Sequence, residues 1–257
     1  MINKKIKLLR KKFVALKLDG YVVPKNDEFF GEYPEHDRLK IISGFDGSAG
    51  LAIILKNKNY LFVDGRYTIQ AKKQSGKYFN IIEIHKFLPF KKIRKLKLGF
   101  DPQLFTTRQL NIYFNNKLTL EPISKNLIDV IYKKRKTKSK LFFSLDERVT
   151  GENHKSKIKK IVKELKYYKS DYMFISAPEN VAWLLNIRGY DSPYSPIPNC
   201  RVIVANDKKI FLVVNKNKIS NIIKKKNYRN IKIIDPSNFK SFIKNLKGKN
   251  FTIDQLT

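Results

Sequence analysis

The chain opens with apolar residues one helical turn apart. Ile2, Ile6, Leu9, Phe13 and Leu16 recur at three- and four-residue intervals with lysines between them. That period predicts an amphipathic helix over 3–18, closed by Asp19-Gly20, because Gly readily follows a helix C-terminus. The period then shortens. Tyr21-Val22-Val23 reads as a short buried strand ended by Pro24. Leu51 to Leu55 and Tyr60 to Val63 are apolar runs separated by Asn57-Lys58-Asn59, which is a hairpin pattern. Asp64 follows where strand gives way to helix. Its carboxylate can accept the N–H groups of a first helical turn, and Gly65 permits the bend. A helix is expected from Arg66 to about Gln74, a strand from Phe79 to Ile84, a helix over 87–96 and a strand from Leu98 to Phe100. Thr106-Thr107 opens a helix through Phe114, and Leu118 to Leu120 gives a last strand.

Residues 133–140, KKRKTKSK, contain no apolar side chain. They mark a charged linker between domains at 1–132 and 141–257. The second half repeats the order of the first. A helix carrying Ile158, Ile161, Val162 and Leu165 leads to a strand Tyr172 to Ser176, then a helix Pro178 to Leu185 with the only tryptophan, Trp183. A hairpin follows, Arg201 to Ala205 and Ile210 to Val214 about an Asn206-Asp207 turn. Then come a helix near 218–226, a strand Ile231 to Ile234, a helix near 237–246 and a strand Phe251 to Ile253. Gly44-Phe45-Asp46 matches Gly189-Tyr190-Asp191, and Leu98-Gly99-Phe100-Asp101 matches Phe251-Thr252-Ile253-Asp254. The expectation is a duplicated α/β unit. The first unit continues past Asp101 with a helix and a strand. The second reaches Thr257 directly after Asp254, which predicts a chain cut short of its last helix and closing strand.

Composition changes this picture little. The sequence has 257 residues, 42% hydrophobic, with 18 Phe and 13 Tyr, enough for two real cores. Its 54 basic against 22 acidic residues give a formal charge of +32, a value that normally points to nucleic acid or an anionic surface. Here the lysines are scattered over helix and turn positions along the whole chain, which reads as a solvated basic surface. One cysteine, Cys200, cannot make an internal disulfide, and that fits a reducing cytoplasm. No apolar run approaches the ~20 residues of a membrane span.

The chemistry-bearing residues are sparse. His36, His85 and His154 are widely separated, without the HExxH spacing, and Glu35-His36-Asp37 is the best local cluster. Ser43 and Ser48 lie in a Gly-rich loop that is not a nucleophile elbow. Gly44 to Gly50 leads into a strand, so it lacks the helix N-terminus that binds phosphate. Asp46, Asp64 and Asp101 fall at strand ends. A two-metal nuclease could use carboxylates so placed, whereas Asp64 before Gly and Asp101 before Pro are also ordinary caps and turns. Asp46, Arg66, Tyr67, Arg188 and Asp191 are the candidates for a substrate cleft or an interdomain contact, since Arg suits a carboxylate partner through paired hydrogen bonds. Pro193, Pro196 and Pro198 around Tyr194 form a stiff apolar segment suited to an interdomain or subunit contact.

Several words of the sequence, taken in order, resemble the creatinase/prolidase/aminopeptidase P superfamily, and in particular its three-domain Xaa-Pro aminopeptidases. They are Asp27 to Tyr33 with Asp37-Arg38, ISGFDGSAG at 42–50, VDGRY at 63–67 with Gln70-Ala71, NLIDVIYKKR at 126–135, and ENVAWLLNIRGYDSPYSPIPNCRVIV at 179–204. The resemblance implies two tandem three-layer α/β/α domains, ribonuclease H-like, each with a mixed sheet containing a hairpin. It implies that the family's third, catalytic domain is absent, and with it two divalent metal ions, manganese by resemblance, so that no catalytic or metal-binding residue is expected here. A metal-bridged hydroxide in that domain would release the residue before proline. The partners so implied are that catalytic domain of the same polypeptide, a peptide with proline at its second position, and a second copy in a homodimer. Scaffolding, dimerisation and restricted access to the cleft would be the role of these residues. A stand-alone peptide- or partner-binding module and a basic nucleic-acid-binding protein are the other readings.

Overall fold

Apolar runs without polar interruption become strands buried on both faces. In the computed structural model, which describes residues 2–115, 117–133 and 140–254, β1 (Gly20–Pro24) is such a strand, buried at every position. The chain divides into two compact units, Met1–Lys136 and Thr137–Thr257. Most of the linker expected at 133–140 lies outside the described residues.

The first unit runs α1 (Ile2–Ala15), β1, α2 (Arg38–Ser43), the hairpin β2 (Gly50–Leu55) and β3 (Asn59–Val63), and α3 (Thr68–Ser75). It continues with β4 (Asn80–Glu83), α4 (Pro89–Lys92), β5 (Lys97–Phe100), α5 (Thr107–Phe114), β6 (Thr119–Pro122) and α6 (Leu127–Ile131). The strands form one sheet in the order β4-β3-β2-β1-β5-β6. β1–β2 and β2–β3 are antiparallel, and the other pairs are parallel. Because side chains alternate along a strand, Tyr21 and Val23 join one core with Phe13 of α1, Leu39 of α2 and Ile128 of α6. Val22, Ile53 and Phe62 join the other with Ile93 and Phe114. Helices therefore cover both faces, in three layers.

The second unit runs β7 (Phe143–Ser144), α7 (Glu147–Thr150), α8 (His154–Tyr167), β8 (Tyr172–Ile175), α9 (Pro178–Leu185) and β9 (Ile187–Arg188). The hairpin β10 (Arg201–Ala205) and β11 (Ile210–Val213) follows, then α10 (Lys216–Ile223), β12 (Ile231–Ile234), α11 (Phe239–Lys244) and β13 (Phe251–Ile253). Its sheet is ordered β12-β11-β10-β8-β13, and β7 with β9 makes a separate ribbon. The hairpin is antiparallel to β8, and β12 and β13 add in parallel. Among the described residues this is, strand for strand, the first sheet without β6. On one face α8, α9 and α10 enclose Val202, Val204 and Leu212. On the other, Phe239 and Phe242 of α11 lie against Phe174 and Phe211, with ring centroids 5.6 and 4.9 Å apart.

Three local readings change. α1 ends at Ala15, not at 18. Lys17 takes a left-handed φ of 57°, and the Leu18 N–H returns 3.0 Å to the Phe13 carbonyl, a Schellman-type closure. Gly20 is then free to begin β1, where a Cβ would stand 2.6 Å from Leu55 Cδ2 and 2.7 Å from the Ile54 carbonyl oxygen. The helix expected over 87–96 is one turn, because Ile93 is already extended and buried and Lys95 has φ 54°. Three short helices, α2, α6 and α7, stand where none was expected.

Candidate functional site

Open α/β sheets bind ligands at the carboxyl ends of their parallel strands. In the first unit that edge carries a cleft of about 230 Å³ beside the ends of β1, β3 and β4, lined by Asn26, Asp64, His85, Phe105 and Tyr113 among others. Asp64 caps the 3-10 turn Gly65–Tyr67 by accepting the Arg66 N–H (3.0 Å), and it also accepts Arg66 Nε (2.8 Å). His85 Nε2 lies 3.4 Å from its other oxygen. The Arg66 guanidinium, with the Arg66 N–H, holds the Asp64 carboxyl well below the usual carboxylate range. Arg66 is the most exposed member of this group and lies over the Tyr67 ring at 5.6 Å.

The Gly-rich loop beside this cleft is filled by the protein itself. Phe45 is fully buried beneath it. A Cβ at Gly47 would stand 2.3 Å from Phe45 Cζ, and one at Gly50 3.0 Å from Leu39 Cδ2. Gly44 supplies the left-handed cap of α2 at φ 84°. Asp46 is tied to its own unit. It accepts Gln74 Nε2 (2.7 Å) and Gln70 Nε2 (2.8 Å), with Lys40 Nζ at 3.3 Å, and so pins the loop to α3. These contacts, Gln74 foremost, hold its carboxyl below the ordinary range. The Tyr67 hydroxyl lies 2.8 Å from Ser48 Oγ, and its ring meets Phe45 edge-on. Ser43 is buried, donating to the Leu39 carbonyl and accepting the Phe45 N–H.

A second cluster in the first unit escaped the sequence reading. Arg38 sends Nε and Nη2 to the two oxygens of Asp129 (2.9 and 2.8 Å), and His36 Nε2 lies 2.8 Å from the same carboxylate. Burial raises the Asp129 carboxyl, but Arg38 and then His36 outweigh it and hold it below the ordinary value. Asp101 is buried. It caps the turn Pro102–Leu104 and accepts Asn126 Nδ2 at 2.9 Å. The visible signal was acid at Asp129 within an otherwise apolar Leu127–Ile131, which needs a basic partner wherever that helix packs.

In the second unit Asp191 and Arg188 are tied inward. Asp191 accepts the Asn199 N–H (2.8 Å) and Lys218 Nζ (2.6 Å), and Arg188 Nη1 donates to the Ala182 and Ile187 carbonyls (both 2.9 Å). His154 stacks on Tyr228 at 4.6 Å. Cys200 is buried, and burial pushes its thiol well up. Among the described residues no group of three or more His, Cys, Asp or Glu side chains could hold a metal ion. The two histidine–carboxylate pairs, Asp64 with His85 and Asp129 with His36, each already face an arginine cation, Arg66 and Arg38, which opposes a second positive charge.

Residues 5–130 match the family model for the creatinase/prolidase N-terminal domain, and residues 133–257 match a second model of the same description. The probable Xaa-Pro aminopeptidase P of Coprinopsis cinerea is 32% identical over 231 residues, covering 82% of this chain and 36% of that protein. Xaa-Pro aminopeptidase 1 of Dictyostelium discoideum is 30% identical over 281 residues, covering 98% and 44%. The X-prolyl aminopeptidase of Caenorhabditis elegans, described as a cytosolic enzyme with a di-nuclear active site, superposes with a TM-score of 0.83 at 26% identity, over 95% of this chain and 44% of that one. The chain thus spans 36% to 44% of the length of these relatives. No helix among the described residues is long and apolar enough to cross a membrane.

Proposed function

This chain belongs to the creatinase/prolidase N-terminal domain family, and on that footing we propose that it forms the noncatalytic N-terminal portion of a metal-dependent aminopeptidase. The full enzyme removes the N-terminal residue preceding proline. The observation that carries this is the double family match together with coverage of only 36% to 44% of the Xaa-Pro aminopeptidases it resembles. The two divalent ions, manganese in this proposal, are held by a catalytic domain of the same polypeptide; the di-nuclear active site described for the Caenorhabditis elegans enzyme supports this. The two units act as scaffold, as part of a homodimer contact and as a restriction on which peptides reach the cleft, in the cytoplasm.

Of the five residues singled out in the sequence, four support the scaffold role. Asp46, Tyr67, Arg188 and Asp191 are spent on contacts inside their own units. Arg66 is the exception. Its side chain is 74% exposed beside the cleft and is the one suited to a peptide carboxylate or to a neighbouring acidic surface. The test is direct. The purified 257-residue chain, given manganese and a peptide with proline second, releases no N-terminal residue. Release above the metal-only blank overturns the proposal.

A further inference from the structure

Cations that are scattered along the sequence are gathered by the fold of the first unit. Gly20 of β1 faces Leu55 of β2 and Leu98 of β5, Lys97 faces Thr119 of β6, and Tyr60 of β3 faces Asn80 of β4. The turns entering β1, β4, β5 and β6 and the β2–β3 hairpin turn therefore meet at one pole, opposite the cleft. Each presents cations: Lys17, Lys58, Lys77, Arg94, Lys95 and Lys117, all exposed. Hydrogen bonds lace these turns together. The Asp19 N–H donates to the Lys97 carbonyl (2.8 Å), the Lys95 N–H to that of Lys117 (3.2 Å), and Asn59 Nδ2 to that of Tyr78 (2.8 Å).

The acids of this unit are sorted the other way. Asp27, Glu28, Glu32, Glu35 and Asp37 all lie in the loop that leaves β1 at the cleft edge, and Asp64 and Asp101 end β3 and β5 there. The acids beside the cationic turns are Asp19 and Glu121, and both are already engaged. Asp19 accepts Lys56 Nζ (2.7 Å) and the Lys97 N–H (3.0 Å), and Glu121 lies 3.1 Å from Lys97 Nζ. Among the described residues no carboxylate pairs with any of the six cations. Next to Lys17, the aliphatic Val14 and Leu16 are 49% and 47% exposed.

We propose that this pole docks reversibly on an anionic lipid surface. The match is electrostatic first. A sheet of acidic headgroups offers a diffuse negative field, worth a factor of about five in binding for each cation near the surface. Val14 and Leu16 add aliphatic contact at the headgroup boundary. The residue types favour lipid over nucleic acid. Five of the six cations are lysines, which act as point charges, whereas base edges are read by planar, forked groups such as arginine. The exposed apolar pair is aliphatic, whereas unpaired bases stack on aromatic rings. The contact is peripheral, so salt weakens it. This inference rests on the first unit's own sheet and stands apart from the peptidase reading.

The test sediments the intact 257-residue chain with vesicles of phosphatidylcholine, alone or with about one-third phosphatidylserine, at about 0.15 M salt, where the Debye length is about 8 Å. The chain pellets with the anionic vesicles and stays in solution with the neutral ones. Combining Lys17→Glu, Lys58→Glu and Lys95→Glu lowers the partition coefficient at least about thirtyfold. Lys4→Glu, Lys7→Glu and Lys125→Glu, exposed elsewhere on the same unit, change the net charge equally and lower it less than about fivefold. Leu16→Asn, which keeps every charge, lowers it severalfold. Urea midpoints show that each variant is folded. Equal losses from the two triple variants, or no preference for phosphatidylserine, overturn the proposal. So does a loss that follows only from reversing Lys169, Lys208 and Lys249, which assigns the contact to the second unit. Retention on single-stranded RNA with none on vesicles overturns it in favour of nucleic acid. Peptide hydrolysis enters none of these readouts, so this test and that of the proposed function fail separately.

Discussion

Asp129 shows how much one carboxylate holds in a chain this basic. It receives two nitrogens of Arg38, which is only 10% exposed, and faces His36 as well. Asp129→Asn would leave the buried guanidinium against a neutral amide. Since Asp129 itself is 34% exposed, solvent screening trims the loss to about 1–2 kcal/mol, read as a lower urea midpoint at neutral pH. The pH dependence has a definite sign. The folded carboxyl lies below its ordinary value of 3.8, so its stabilisation is complete above that value and disappears as pH falls through the depressed one. The gap between wild type and variant should close in acid. A gap that widens there would show that Asp129 is not held ionised by Arg38. The lone acid of Leu127–Ile131 is visible in the sequence, but its partner is not, because Arg38 and Asp129 are 91 positions apart. Asp64 and Asp101 were legible as caps, since a cap acts within its own turn.

Elements were readable where a period ran long enough to be counted. The helix Pro178–Leu185 and the strands Arg201–Ala205, Ile231–Ile234 and Phe251–Ile253 fall where the apolar pattern puts them. α2 and α6 were missed because six and five residues give no full repeat. They persist because Asp37 and Asn126 cap them and their apolar residues land in an existing core. Gly20 was misassigned for a different reason. Glycine after a helix suggests a left-handed cap, but here Lys17 takes that conformation and Gly20 allows β1 to lie tight against β2. Gly20→Ala should therefore destabilise the first unit by about 1–3 kcal/mol through overpacking, measured by urea unfolding. At Gly248 nothing stands within 4 Å of an added Cβ and φ is +83°, so alanine there should cost about 1 kcal/mol from backbone strain alone. Equal losses at the two sites would refute a steric role for Gly20.

At the scale of the whole molecule the charge of +32 has to be reconciled with two packed cores. Part of the answer is that lysine serves as a structural residue. Lys25 is buried against Asp37, and Lys157, 3% exposed, donates to the Trp183 carbonyl and to Asn186 Oδ1, both at 2.7 Å, beneath the indole ring. Most of the remaining cations stand on the surface, where they repel one another and destabilise the compact state. Screening weakens that repulsion. Raising monovalent salt from about 0.01 to about 1 M contracts the Debye length from about 30 to about 3 Å, so the thermal midpoint should rise with salt. The exposed ion pairs weaken over the same range, but each contributes little, about 0–1 kcal/mol, and they cannot offset an excess of 54 basic over 22 acidic groups. A midpoint that falls with salt would mean that the charges are arranged in net attractive networks. The same titration with a DNA duplex present separates a solvated surface from a nucleic-acid site. Surface lysines alone hold DNA only at low salt, through counterion release, and by about 0.15 M the duplex should leave the midpoint unchanged, whereas a built nucleic-acid site would still raise it there.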